Sequence, residues 1–139
     1  MQKNRAWSYC VRASNNETGN MTGNDTLLKA IVEGIQERKG KDIAIVDLSG
    51  IEYATAQCFV ICSGTSTMHV SAVADCLQEY VEKHEDVKPF ATDGYQNAQW
   101  IVMDYGTIYV HVFMPEAREL YNLEQLWSDA EISYVPNLD

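Results

Sequence analysis

The sequence contains no apolar run that approaches the about 18 to 20 residues needed for a membrane-spanning helix. Its first residues, MQKNRAWSYCVRASNNETGN, also lack the apolar stretch of a secretory signal. We therefore expect a cytoplasmic protein that does not interact with a membrane.

Basic side chains are scarce. The chain has 10 Lys and Arg against 20 Asp and Glu, which gives a formal net charge of −10. Such a field repels phosphate backbones, so we expect little or no direct nucleic-acid binding. It attracts a basic protein, and the composition therefore favours a protein partner.

The cysteines do not form a metal or redox motif. No C-x-x-C pair occurs among Cys10, Cys58, Cys62 and Cys76. Cys58 and Cys62 fall in one predicted strand, roughly 13 Å apart, which is too far for a disulfide. We predict reduced thiols that pack as small hydrophobic groups. The three histidines lack H-x-x-x-H spacing, so no metal site is predicted.

Motifs for nucleotide chemistry and nucleophilic catalysis are also absent. The chain has no Asp-x-Asp pair to hold Mg²⁺, no Gly-Lys-Ser/Thr and no G-x-S-x-G. One segment, Ser63-Gly64-Thr65-Ser66, lies between a predicted strand and a predicted helix, where free amides could bind an anion. We interpret it as a helix cap provided by Thr65 or Ser66. A nucleotide-binding or nucleotidyltransferase-type enzyme that uses this turn is the alternative.

The 139 residues, 46% of them hydrophobic, suit one domain. Residues 1–24 are polar, and we predict a disordered or non-native extension there, in which case Met21 would be the natural start. The domain is predicted over 25–136 and a tail over 137–139. The predicted elements are a helix at 26–39, strands at 43–46 and 58–62, a helix at 67–84, a short extended piece near Lys88-Pro89-Phe90, hairpin strands at 100–105 and 107–113, and short helices from Pro115 before an acidic end. This order predicts an α/β or α+β fold, a mixed β-sheet with helices packed on it, and we take α/β as the fold class.

The hairpin has large apolar side chains on both faces. In its first strand Trp100, Val102 and Asp104 alternate with Ile101, Met103 and Tyr105, and in its second Ile108, Val110 and Val112 alternate with Tyr109, His111 and Phe113. Two interpretations stay open. Helices could cover both faces, or one face could remain an aromatic surface beside acids, which is typical of protein interfaces.

The run GYQNAQWIVMDYGTIYVHVFMPEARELYNLEQLW, residues 94–127, resembles the ribosomal silencing factor family, also called Iojap or DUF143. The segments KGKDIAIVDLSGI and CFVICSGTSTMHVSAVADCL fit the same family. The resemblance extends from about residue 26 to 136.

The resemblance implies a nucleotidyltransferase-like fold without a catalytic site and without a cofactor. It implies a partner on the large ribosomal subunit, a basic protein of the intersubunit face that is the fourteenth of the large-subunit series. Binding there would block joining of the small subunit and repress translation under nutrient limitation. A homodimer is implied for the free protein. A purely structural homodimer with no ribosomal partner is a further alternative.

Partner-binding residues follow from the positions that match the family motif. We expect Trp100, Asp104 and Tyr105 to make the contact, because an aromatic anchor beside a carboxylate suits a basic target. We assign the packing of the final helix to Leu123, Leu126 and Trp127. The remaining residues of the predicted surface are Gly106, His111, Arg118, Tyr121 and Glu124.

Overall fold

The computed structural model describes residues 23–51, 54 and 56–138. The elements, numbered here in chain order, are α1 (Gly23–Glu37), β1 (Lys41–Asp47), β2 (Cys58–Ser63), α2 (Thr67–Glu85), β3 (Ala91–Asp93), β4 (Trp100–Asp104), β5 (Ile108–Phe113), α3 (Pro115–Tyr121), α4 (Leu123–Leu126) and β6 (Glu131–Val135). None of these helices is both long and apolar enough to cross a membrane.

The strands form one mixed sheet in the order β3-β4-β5-β2-β1-β6. Only β2 and β5 are parallel within this sheet, and all other neighbours are antiparallel. The predicted α/β fold is confirmed. The hairpin is confirmed as well, since β4 and β5 pair with Trp100 opposite Phe113 and Asp104 opposite Tyr109.

One face of the sheet is covered by the two long helices. Both helices are amphipathic, and their apolar sides pack together and onto the sheet around fully buried residues such as Ile31 and Leu77. This face contains Ile101, Met103 and Val110, all at 0% exposure. It forms the main core of the domain.

The opposite face carries a smaller core and a shorter cover. The helices α3 and α4 pack there over Ile61 and Phe113 through Ala117 and Leu123. These helices have only seven and four residues. The β3–β4 end of the face stays open, since β3 is exposed and Trp100, Val102 and Asp104 are only partly buried. The structure therefore lies between the two interpretations of the hairpin, with one face buried and the other partly covered.

The first helix begins earlier than the sequence pattern indicates. It runs from Gly23 to Glu37 rather than over 26–39. Asp25, which precedes the predicted start of the helix, lies in the first turn and is fully buried. The prediction for residues 1–24 falls almost wholly outside the described residues, which start at Gly23.

The prediction of a trailing acidic end is wrong. After α4 the chain forms β6, which pairs antiparallel with β1, so that Val46 lies opposite Ile132. Asn137 follows β6 and adds a further link to β1, because its Oδ1 accepts a hydrogen bond from the Asp42 amide at 2.7 Å. Residues 131–135 are thus part of the sheet, and Asn137 is hydrogen-bonded to the residue that follows the start of β1.

Candidate partner-binding surface

Aromatic rings form a continuous group on the partly covered face of the sheet. We call it the aromatic cluster, and its members are Phe59, Trp100, Tyr109, His111, Phe113, Tyr121 and Trp127. Alternation places Phe59, Tyr109, His111 and Trp100 on the same face of three neighbouring strands. Phe59 lies 4.8 Å from His111 and 5.8 Å from Trp127 between ring centroids. The cluster thus joins the open sheet to the two short helices.

Trp100 lies at the centre of this cluster. Its ring stacks on Phe113 at a centroid distance of 5.0 Å and contacts Tyr121 at 4.7 Å. Its Nε1–H donates to His111 Nδ1 at 3.0 Å. The side chain is only partly buried, so part of it remains accessible. A rigid aromatic group with this environment is typical of an interface anchor.

His111 is a buried member of the cluster rather than an exposed contact. It is 6% exposed, and burial lowers the pKa of its imidazole to about 4. The ring is therefore neutral at physiological pH. Its place beneath Trp100 indicates a role in holding the indole.

Carboxylates border the open part of the face. Asp104 is partly exposed, and its Oδ1 accepts a hydrogen bond from the Gly106 amide at 2.7 Å. Asp93 lies on the neighbouring strand opposite Val102, and strand alternation places its exposed side chain on this face. Asp93 could not be predicted from the sequence, because only the β3–β4 pairing brings it close to the hairpin.

The short helices add exposed apolar side chains beside the cluster. Leu120 and Tyr121 lie exposed on α3, and Leu126 lies exposed on α4. The prediction that Leu126 packs the final helix is wrong, since 71% of its surface is exposed. Leu123 and Trp127 do pack against the second core. Exposed apolar groups next to an aromatic cluster and two carboxylates suit a protein interface.

Arg118 and Glu124 connect the short helices to the sheet. Arg118 Nη2 bonds Glu124 Oε2 at 2.7 Å, and Arg118 Nη1 donates to Asp42 O at 2.7 Å and to Ser63 Oγ at 2.9 Å. Both side chains are largely buried, at 13% and 20% exposure. Their hydrogen-bonding groups are thus engaged within the protein, so these residues hold α3 and α4 in place instead of presenting charge to a partner.

Tyr105 does not belong to the surface. It is 4% exposed and lies in the main core, on the face opposite Trp100 and Asp104. We therefore correct its assignment as a contact residue. Gly106 is exposed and has a φ of +91°, a left-handed conformation that glycine adopts without strain. It shapes the hairpin turn and offers Asp104 a backbone donor.

The turn before α2 is a helix cap, as predicted. Ser66 is the N-cap, and its Oγ accepts a hydrogen bond from the His69 amide at 3.0 Å. The Thr65 amide donates to His69 Nδ1 at 2.9 Å, and the Gly64 amide donates to Phe113 O. Because these amides are already bonded within the chain, they are not available to a phosphate group.

Cysteine and metal chemistry are not indicated by the geometry. Cys58 and Cys62 are buried, and burial raises the pKa of the Cys62 thiol to about 12. Within the ranges that the structure describes, no three His, Cys, Asp or Glu side chains converge in an arrangement that could hold a metal ion.

A sequence model described as "Ribosomal silencing factor during starvation" matches residues 22–139. This match covers all the elements described above. The chain belongs to the ribosomal silencing factor family.

Curated relatives and solved structures agree with this membership. The chain is 35% identical over 107 residues to the ribosomal silencing factor of Halalkalibacterium halodurans, covering 77% of this chain and 90% of the relative. It is 38% identical over 102 residues to that of Haemophilus influenzae, covering 73% and 98%. A crystal structure from Chromobacterium violaceum is similar with a TM-score of 0.69 and 29% identity, covering 74% of this chain and 84% of that one.

A more distant relative is the mouse protein named "Mitochondrial assembly of ribosomal large subunit protein 1". It is 32% identical over 101 residues, which make up 70% of this chain and 43% of the relative. The ribosomal silencing factor domain thus also occurs within a longer chain.

Proposed function

We propose that this protein binds the large ribosomal subunit and blocks joining of the small subunit, so that translation is repressed when nutrients are limiting. The partner we propose is the basic protein of the intersubunit face, the fourteenth of the large-subunit series. Family membership and the names of the relatives support this proposal. We propose a binding role without catalysis, in the cytoplasm.

The observation that carries the proposal is the partly open face around Trp100. It combines an accessible indole, exposed Tyr121 and Leu126, and the carboxylates of Asp93 and Asp104. Aromatic anchors provide most of the affinity at protein interfaces, and carboxylates favour a basic partner and speed its association. The net charge of −10 acts in the same direction.

Sedimentation of purified ribosomal subunits with the added protein tests the proposal. We expect the protein to comigrate with large subunits and to lower the monosome peak when small subunits are added. Trp100→Ala should weaken binding by roughly 2 kcal/mol, which is about 30-fold. If the unaltered protein neither comigrates nor reduces monosomes, the proposal is wrong.

Two exposed apolar residues provide a matched pair of variants for the location of the surface. Leu126 is 71% exposed beside the cluster, and Met68 is 81% exposed on α2, which packs on the other face of the sheet. Neither truncation removes buried contacts, so both variants should keep the stability of the unaltered protein. Only Leu126→Ala should weaken binding to large subunits. Equal binding by the two variants would place the interface elsewhere.

The same surface supports our proposal of a homodimer in the free protein, because exposed apolar groups such as Leu120 and Tyr121 also favour self-association. Sedimentation velocity over a range of concentrations measures it. A monomer at all concentrations contradicts the dimer but leaves the ribosomal proposal intact.

The nucleotide-binding alternative is tested by calorimetric titration with ATP and Mg²⁺. The amides of Gly64 and Thr65 are bonded within the chain, so we expect no binding heat.

A further inference from the structure

The hydrogen bond between Trp100 and His111 determines which nitrogen of the imidazole carries the proton. An indole N–H can only donate, so His111 Nδ1, 3.0 Å from Trp100 Nε1, must accept. A neutral imidazole has one donor and one acceptor, and the proton therefore lies on Nε2.

The Nε2–H group is buried and has no hydrogen-bond acceptor among the described residues. It lies in an aromatic environment, with the Phe59 ring 4.8 Å from the imidazole at an interplanar angle of 66°. A buried donor without an acceptor destabilises a fold, and an apolar side chain of similar shape would avoid this cost. The packing of the domain alone therefore does not explain a histidine at this position.

The acceptor at Nδ1 provides an explanation through Trp100. Phe113 and Tyr121 contact the indole, at centroid distances of 5.0 and 4.7 Å, but neither bonds its N–H group. His111 adds a directional contact, a hydrogen bond at 3.0 Å that restrains rotation of the partly buried indole. It lies opposite Val102 in the sheet, one diagonal step from Trp100, so the pair spans the two strands of the hairpin.

We propose that His111 is a positioning residue for the partner-binding surface: its Nδ1 fixes the Trp100 indole in the orientation that the ribosomal partner recognises, at a cost in stability from the buried Nε2–H. The inference rests on the proposed function for its partner and on the described geometry for its mechanism. Pre-organised side chains bind more tightly because less conformational freedom is lost on association.

Two variants of His111 separate positioning from packing. His111→Phe keeps a planar ring but removes both the acceptor and the unbonded donor. His111→Asn places its Oδ1 where Nδ1 was, so it can accept from the indole. We expect His111→Phe to unfold at an equal or higher urea concentration than the unaltered protein and yet to bind large subunits about tenfold more weakly. Asn should recover a substantial part of the lost affinity.

Hydrogen exchange of the Trp100 indole N–H, measured by NMR on the full chain, reports the bond without any partner. Exchange should be slow in the unaltered protein, at least tenfold faster in His111→Phe and intermediate in His111→Asn. In a Trp100→Phe background, which has no indole donor, His111→Phe should cause no further loss of affinity.

Three results would overturn the inference. One is fast indole exchange in the unaltered protein. Another is wild-type affinity in His111→Phe. The third is a joint loss of stability and affinity in His111→Phe that Asn does not restore, because this would indicate a purely structural role. Failure of the unaltered protein to bind large subunits would instead contradict the proposed function, and slow exchange that depends on His111 would still support the indole's fixation.

Discussion

Arg118 should contribute much more to stability than an ordinary surface cation. Its guanidinium makes three hydrogen bonds, to Glu124, Asp42 O and Ser63 Oγ, at 2.7, 2.7 and 2.9 Å. The ion pair with Glu124 is largely buried, and removing one partner of a buried pair leaves an uncompensated charge at a cost of about 3 kcal/mol or more. Arg118→Ala should therefore destabilise the domain by about 3 kcal/mol.

The chain offers an exposed ion pair for comparison. Lys88 Nζ lies 3.6 Å from Glu82 Oε2, and the two side chains are 74% and 49% exposed. Such pairs contribute about 0.5 kcal/mol, because water screens the charges and two flexible side chains must be ordered. Lys88→Ala should thus be close to neutral.

Urea unfolding followed by circular dichroism measures both variants. With a urea m-value of about 1 to 3 kcal/mol/M, a loss of 3 kcal/mol moves the midpoint by about 1 to 3 M. The double variant Arg118→Ala/Glu124→Gln should be less unstable than the sum of the single variants, because the two residues share one interaction. Midpoints for Arg118→Ala and Lys88→Ala that agree within about 0.5 M would refute the reasoning.

Other parts of the fold give further predictions. Burial lowers the pKa of His111 to about 4, so below pH 6.5 the unfolded chain takes up a proton that the native chain excludes. The free energy of unfolding should therefore fall by about 3 kcal/mol between pH 6.5 and 4. The urea midpoint of His111→Phe should fall less over this range than that of the unaltered protein, and parallel pH profiles would contradict the prediction. Gly34→Ala should lower the free energy of unfolding by about 1 to 3 kcal/mol, because the new Cβ would lie 2.8 Å from the α2 backbone. At Gly50 a new Cβ meets nothing within 4 Å, so Gly50→Ala should be neutral. Equal melting temperatures for the two variants would contradict this. Cys62 should resist alkylation in the native state at pH 8, because it is fully buried and its thiol has a pKa near 12. Partly exposed Cys76 should be alkylated before Cys62, which peptide mass spectrometry would show. The reverse order would contradict the burial of Cys62.

The sequence was sufficient where a local period determines the structure. Two-residue alternation placed Ile101 and Met103 opposite Trp100, and the structure buries both under the long helices. The same alternation placed Tyr105 on their side. We assigned Tyr105 to the surface because it follows Asp104 in the motif, and its 4% exposure shows that this assignment is wrong.

Contacts that depend on a sharp turn or on the meeting of distant segments could not be predicted from the sequence. Arg118 and Glu124 meet because the chain turns sharply at Asn122, which has a φ of 48°. The link from Asp42 to Asn137 spans 95 positions. The face of a four-residue helix cannot be assigned from periodicity, which explains the error at Leu126. The sequence of β6 does show the alternation of a strand, since Ile132 and Tyr134 alternate with polar residues. Its charged and polar residues, which are common in edge strands, made it resemble a polar tail.

The size of the two helix layers explains how one sheet can provide both a stable core and an accessible aromatic surface. On one face, two amphipathic helices of 15 and 19 residues bury the sheet completely enough for Ile101, Met103 and Val110 to be inaccessible. On the other, seven- and four-residue helices cover one end and are fixed by Arg118 rather than by a large apolar area of their own. The main core can therefore supply most of the stability, since buried apolar area is the dominant favourable term. Trp100 is thus free to remain partly exposed, because the fold does not depend on burying it.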